Sequence, residues 1–114
     1  VDANGVRIFE QEIKDARDNI AAAKRNLTEV MAKRMQAERK VKELGAAITE
    51  NEGYTEQALA KNDETLALDV ATKIAKLETD QQEQVAIVNR LKHQVAQLKA
   101  HIKTAEKFYT EFST

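Results

Sequence analysis

A chain of 114 residues allows one domain at most, and this one has no proline, cysteine or tryptophan, three glycines and 4% aromatics. Charged residues make up 32% of it, for a net charge of −1 with acids and bases interspersed, which gives no basic face for nucleic acid, no acidic tail, no disulfide and no thiolate metal site. A composition rich in Ala, Glu, Lys, Leu and Arg belongs to long helices and coiled coils, and no apolar run approaches the roughly 18–20 residues that span a membrane.

The chain opens at Val1 without a methionine, and no short apolar block follows a basic start. It stops at "EFST". Both ends read as cuts in a longer protein.

A helix is expected over about residues 5–61. Steps of three and four from Val6 reach Phe9, Ile13, Ala16, Ile20, Ala23, Leu27, Val30, Arg34, Ala37, Val41, Leu44, Ile48, Asn51, Thr55 and Ala58, and 13 of these 16 positions are apolar. Continued, the frame meets Asn62, Thr65, Asp69, Thr72, Lys76 and Thr79 and fails. The phase does not change at Gly53, which therefore lies inside a continuous helix at an outward position, a weak point costing about 1 kcal/mol relative to alanine. A bend there is the sharper alternative.

The reversal is expected at about 61–64. Asn62 tolerates the left-handed conformation that ends helices. Asp63 or Asn62 can cap the next helix, and Glu64 places negative charge at the positive end of its dipole.

The second helix is expected over about 64–112. Its own frame runs Ala67, Val70, Ile74, Leu77, Gln81, Gln84, Val88, Leu91, Val95, Leu98, Ile102, Ala105, Tyr109 and Phe112, with 12 of 14 positions apolar. Together the frames fill 25 of 30 positions, where a 42% hydrophobic composition would fill about 13 by chance, and such a sustained repeat indicates a coiled coil. The fold class is all-α: a long antiparallel coiled-coil hairpin, residues 1–114, with its tip near Asn62-Asp63.

A reversal there pairs Ile48 with Leu77, Val30 with Val95, Leu27 with Leu98, Ile20 with Ala105 and Ile13 with Phe112. Each arm has about 50 residues, roughly 70–80 Å. Glu10–Lys14, Glu29–Lys33, Glu38–Lys42 and Asp69–Lys73 place acid before base at i, i+4, worth a few tenths of a kcal/mol each.

Arg34, Gln81 and Gln84 interrupt the seam. The expected register sets Arg34 against Leu91, Gln81 against Leu44 and Gln84 against Val41. They form either a polar layer that fixes register at some cost in stability, or a partner site or flexible point. Ile8, Met31, Met35, Leu59, Leu66, Leu68, Val85, Ile87 and Phe108 lie off the seam, with Ile8, Met35 and Leu68 furthest round. Two helices cannot bury apolar side chains on three sides, so further chain segments or subunits are expected to pack on them.

No catalytic, cofactor-binding or metal-binding residue is assigned. His93 and His101 lie eight apart on outer positions with no carboxylate at zinc spacing. Asp63, Glu64 and Asp69 lack the spacing of a calcium loop. There is no glycine-rich phosphate loop, GxSxG or HExxH. A thin rod also has no cleft to desolvate paired carboxylates. The reading is not an enzyme.

Val6-Arg7 followed by Gln11-Glu12-Ile13 and Asp15 resembles the first helix of phage shock protein A and its relatives, which include the vesicle-inducing protein of plastids. Ala58-Leu59-Ala60 through Asn62-Asp63-Glu64 to Leu66-Ala67 resembles that family's hairpin tip, and Leu91, Val95, Leu98 and Ile102 its descending arm. The resemblance covers essentially all 114 residues. Thr65 stands where the family usually has an acid, "VDANG" replaces a proline before the first helix, and tryptophan is absent, which points to a divergent paralogue.

The resemblance implies the hairpin core of an ESCRT-III-like scaffold that self-associates through hairpin packing and acts in envelope stress or membrane remodelling. It implies a cytoplasmic protein, peripheral on the inner membrane, whose lipid contact comes through an amphipathic segment absent from these residues. It also implies docking on an AAA+ transcription activator as an alternative role. A coiled-coil spacer of a larger machine is a third.

Overall fold

The computed structural model describes residues 2–113. Two helices account for nearly all of them, α1 over Ala3–Ala60 and α2 over Glu64–Ser113, joined in an antiparallel hairpin.

Asp2 starts α1. Its carboxylate Oδ1 accepts from the Asn4 N–H at 3.1 Å and its carbonyl from the Val6 N–H at 3.0 Å, which satisfies donors that a helix start leaves free. Gly5 leaves room for this cap, because a Cβ there would sit 2.7 Å from Asp2 Oδ2.

The reversal falls at Asn62-Asp63, and α1 runs through Gly53 without a positive φ. Asn62 has φ 56°. Its N–H bonds to the Leu59 carbonyl at 3.0 Å, and the Asp63 N–H reaches back to Ala58 at 2.9 Å. These two bonds close the end of α1 in the Schellman arrangement, with asparagine in the position usually held by glycine. Asp63, not Asn62, then caps α2: its Oδ1 accepts from the Leu66 N–H at 3.1 Å, and Glu64 supplies the acid of the first turn. Two adjacent side chains thus end one helix and begin the next without a glycine.

Every position of the two heptad frames from Ile13 to Tyr109 is buried or half-buried. The most enclosed apolar residues are Ala58, Val95, Ala37, Leu91, Ala67, Ile102, Val88 and Val30. Three of these eight are alanine, as close approach of two helices requires. No large side chain among the described residues is fully buried, because a two-helix seam has a line of contact rather than an interior.

The chain divides into two compact units. Unit 1 pairs α1 up to Ala32 with α2 from Leu91 onward, and unit 2 comprises Lys33–Arg90, including the turn.

Candidate functional site

In unit 1 Phe9 and Phe112 are 46% and 55% exposed. Their rings meet edge to face at 6.4 Å, and Phe108 stacks on Phe112 at 6.1 Å. All three phenylalanines of the chain meet here. With Ile13, Ala16, Ile20 and Tyr109 they line an open groove of about 430 Å³, with Glu12, Asn19 and His101 as polar members.

A second groove in unit 1, about 550 Å³, has Leu27 and Ile102 as apolar members and Lys24, Lys99 and Lys103 around them. Lys24 Nζ bridges to Glu106 Oε1 of the other helix at 3.1 Å. Lysines from both helices therefore converge on one concavity. The net charge of −1 conceals this, as it conceals the excess of acid around the turn. Residues 50–69 hold six carboxylates and one lysine, whereas residues 92–107 hold four lysines and one glutamate.

In unit 2 the polar seam residues take specific partners. Gln81 donates its side-chain amide to the Val41 carbonyl at 3.3 Å, one turn from the Leu44 partner expected from its number. Gly45 eases the approach, since a Cβ on it would lie 3.1 Å from the Gln81 amide nitrogen. Gln84 lines a shallow groove with Leu44 instead, together with Lys40, Glu43, Asp80 and Glu83. Arg34 Nε is buried and lies 3.4 Å from Glu38 Oε1, without the alignment of a hydrogen bond. Asn51 is the one buried polar side chain among the described residues. Its amide is satisfied by its own helix, donating to the Ala47 carbonyl at 2.8 Å.

The four acid-before-base pairs expected at i, i+4 do not close to ion-pair distance among the described residues. Arg34–Glu38 and Lys76–Asp80 do, at 3.4 and 2.9 Å, both in the reverse order. Glu38 turns toward the half-buried Arg34 rather than the exposed Lys42 because a solvated lysine gains little from pairing. Lys76 holds its proton above the usual 10.5, chiefly through its hydrogen bond to Asp80. Tyr54 donates its hydroxyl to Glu50, which raises its pKa above 10.0.

Most of the off-seam apolar residues stand in water: Leu68 is 69% exposed, Met35 and Phe108 58%, Ile8 and Leu59 56%. Met31 and Ile87 are half-buried and broaden the seam. Among the described residues no group of three or more acids, histidines or cysteines could hold a metal ion; His93 and His101 are exposed. What the chain presents is surface: apolar side chains outside a filled seam, a lysine-rimmed groove, and an acidic turn.

The sequence model of one protein family, the PspA/IM30 family, matches residues 1–114. No curated protein and no solved structure matches the chain.

Proposed function

The chain belongs to the PspA/IM30 family, and from that premise we propose that it is the structural core of a membrane-associated, self-assembling scaffold for envelope-stress protection or membrane remodelling. The reading is supported above all by the large apolar side chains left outside the seam, with Leu68, Met35, Leu59 and Phe108 each more than half exposed. Fully burying one such side chain is worth about 1.5–3 kcal/mol, so packing against further copies gains what the two helices alone leave unused.

The family's part is structural rather than enzymatic, and here it would be played by self-association through hairpin packing. The proposed membrane attachment is peripheral: no helix among the described residues is long and apolar enough to cross a bilayer. Lipid contact through sequence outside these 114 residues completes the proposal.

Negative-stain microscopy and co-sedimentation with anionic phosphatidylglycerol vesicles test it. Large regular assemblies whose formation is lost in Leu68→Ser/Met35→Ser are expected. A chain that stays monomeric at every concentration, with and without vesicles, would refute the scaffold.

A further inference from the structure

The two ends of the charge distribution carry matching apolar surface. Helical periodicity puts Glu52, Glu56 and Leu59 on one flank of α1 and Glu64 and Leu68 on one flank of α2. Both flanks lie away from the hollow that Tyr54, Gln57, Lys61 and Leu66 line on the other side of the turn. The result is an acidic face carrying two leucines, 56% and 69% exposed. The lysine-rimmed groove of unit 1 is its counterpart in sign and in polarity: Leu27 and Ile102 among Lys24, Lys99 and Lys103, in about 550 Å³. Lys24 is engaged by Glu106 at 3.1 Å. Among the described residues neither Lys99 nor Lys103 has a carboxylate within 4.0 Å, and neither Glu56 nor Glu64 has a cation within that distance.

Resting on the scaffold reading, we infer that this groove receives the acidic, leucine-bearing tip of a second copy of the chain. Leu59 and Leu68 lie against Leu27 and Ile102, and Glu56 and Glu64 meet Lys99 and Lys103. Apolar contact supplies affinity while the charges steer approach and fix register. The occupant is another copy because one sequence carries both halves of the complement, with unpaired charges of opposite sign around apolar centres.

Sedimentation velocity of the 114-residue chain tests the contact, using Lys99→Glu/Lys103→Glu and Glu56→Lys/Glu64→Lys. All four positions are exposed, and circular dichroism checks that both variants remain helical. Each variant alone should associate at least about tenfold more weakly than the natural chain, and an equimolar mixture should recover association. Association of the natural chain should also weaken as salt rises from about 0.1 to about 1 M, where the screening length falls from about 10 to about 3 Å. If the natural chain assembles and both variants assemble as well, the groove–tip contact is wrong while the scaffold stands. If the natural chain never assembles, the scaffold reading itself falls. If the lysine variant loses only binding to phosphatidylglycerol vesicles and assembles normally, the groove serves a membrane and this inference is overturned.

Discussion

Gln81 of α2 donates its side-chain amide to the backbone carbonyl of Val41 on α1, 3.3 Å away. It gets there by passing over Gly45, where a Cβ would stand 3.1 Å from the amide nitrogen. A polar residue in the seam is thereby keyed to one place on the facing helix, and sliding the helices by one turn would break the bond and leave a half-buried amide unpaired.

Two glycines of α1 should answer differently to the same substitution. At Gly53 an added Cβ meets nothing within 4 Å, so Gly53→Ala should stabilise by about 1 kcal/mol through helix propensity alone. Gly45→Ala gains the same propensity but crowds the Gln81 amide, whose hydrogen bond is worth about 1 kcal/mol, so its net effect should be near zero. Urea unfolding of both, with Gln81→Ala as a third background, separates the two contributions. Equal stabilisation by both alanines would show that Gly45 is not a notch.

The turn should depend on the order of its two polar residues. Asn62 sits at φ 56°, where alanine costs about 1–2 kcal/mol and glycine nothing comparable. Asp63→Ala removes the cap on the Leu66 N–H at a cost of about 1 kcal/mol. Thermal unfolding should therefore rank the natural chain and Asn62→Gly together, above Asp63→Ala and Asn62→Ala.

Much of this geometry is legible in the sequence. The heptad phase locates the reversal at Asn62-Asp63 in spite of the more conspicuous Gly53, because an apolar repeat reports which face is buried over many turns and a glycine reports only local freedom. The lesser details depend on side-chain competition that spacing does not record. Asn62 and Asp63 are equally plausible caps until one of them takes the left-handed conformation. Gln81 chooses Val41 because Gly45, one residue off the seam, leaves a gap. Glu38 chooses Arg34 over Lys42 by relative burial. The lysine-rimmed groove draws Lys24 from α1 and Lys99 and Lys103 from α2, residues far apart in the chain, so counting charges along it shows only a balance.

Core and exposed apolar residues should separate cleanly. Leu91 is 6% exposed and Leu68 69%. Leu91→Ala should cost about 2–5 kcal/mol in unfolding free energy, whereas Leu68→Ala should lie within about 0.5 kcal/mol of the natural chain under dilute conditions. A large loss at Leu68 in dilute solution would mean that its side chain is covered within a single copy.

The alkaline limb should carry a small signature at Tyr54. Its hydrogen bond to the Glu50 carboxylate favours the neutral phenol and raises its pKa above 10.0. A group whose folded pKa is raised contributes its stability in full below the unfolded value and loses it as pH rises through the folded one. Lys76, raised above 10.5 by Asp80, has the same sign. On the alkaline side both contributions are therefore lost as pH rises through folded values above 10.0 for Tyr54 and above 10.5 for Lys76. Ultraviolet titration of Tyr109→Phe, which leaves Tyr54 as the one tyrosine, should show a pKa that falls when Glu50→Gln is added. No response to Glu50→Gln would mean that the pair does not form in solution.

Sedimentation velocity of the natural chain over a wide concentration range tests the scaffold most directly. Species that grow with concentration and that collapse to a single small component in Leu68→Ser/Met35→Ser are expected. A single unchanging monomer boundary at all concentrations would contradict it.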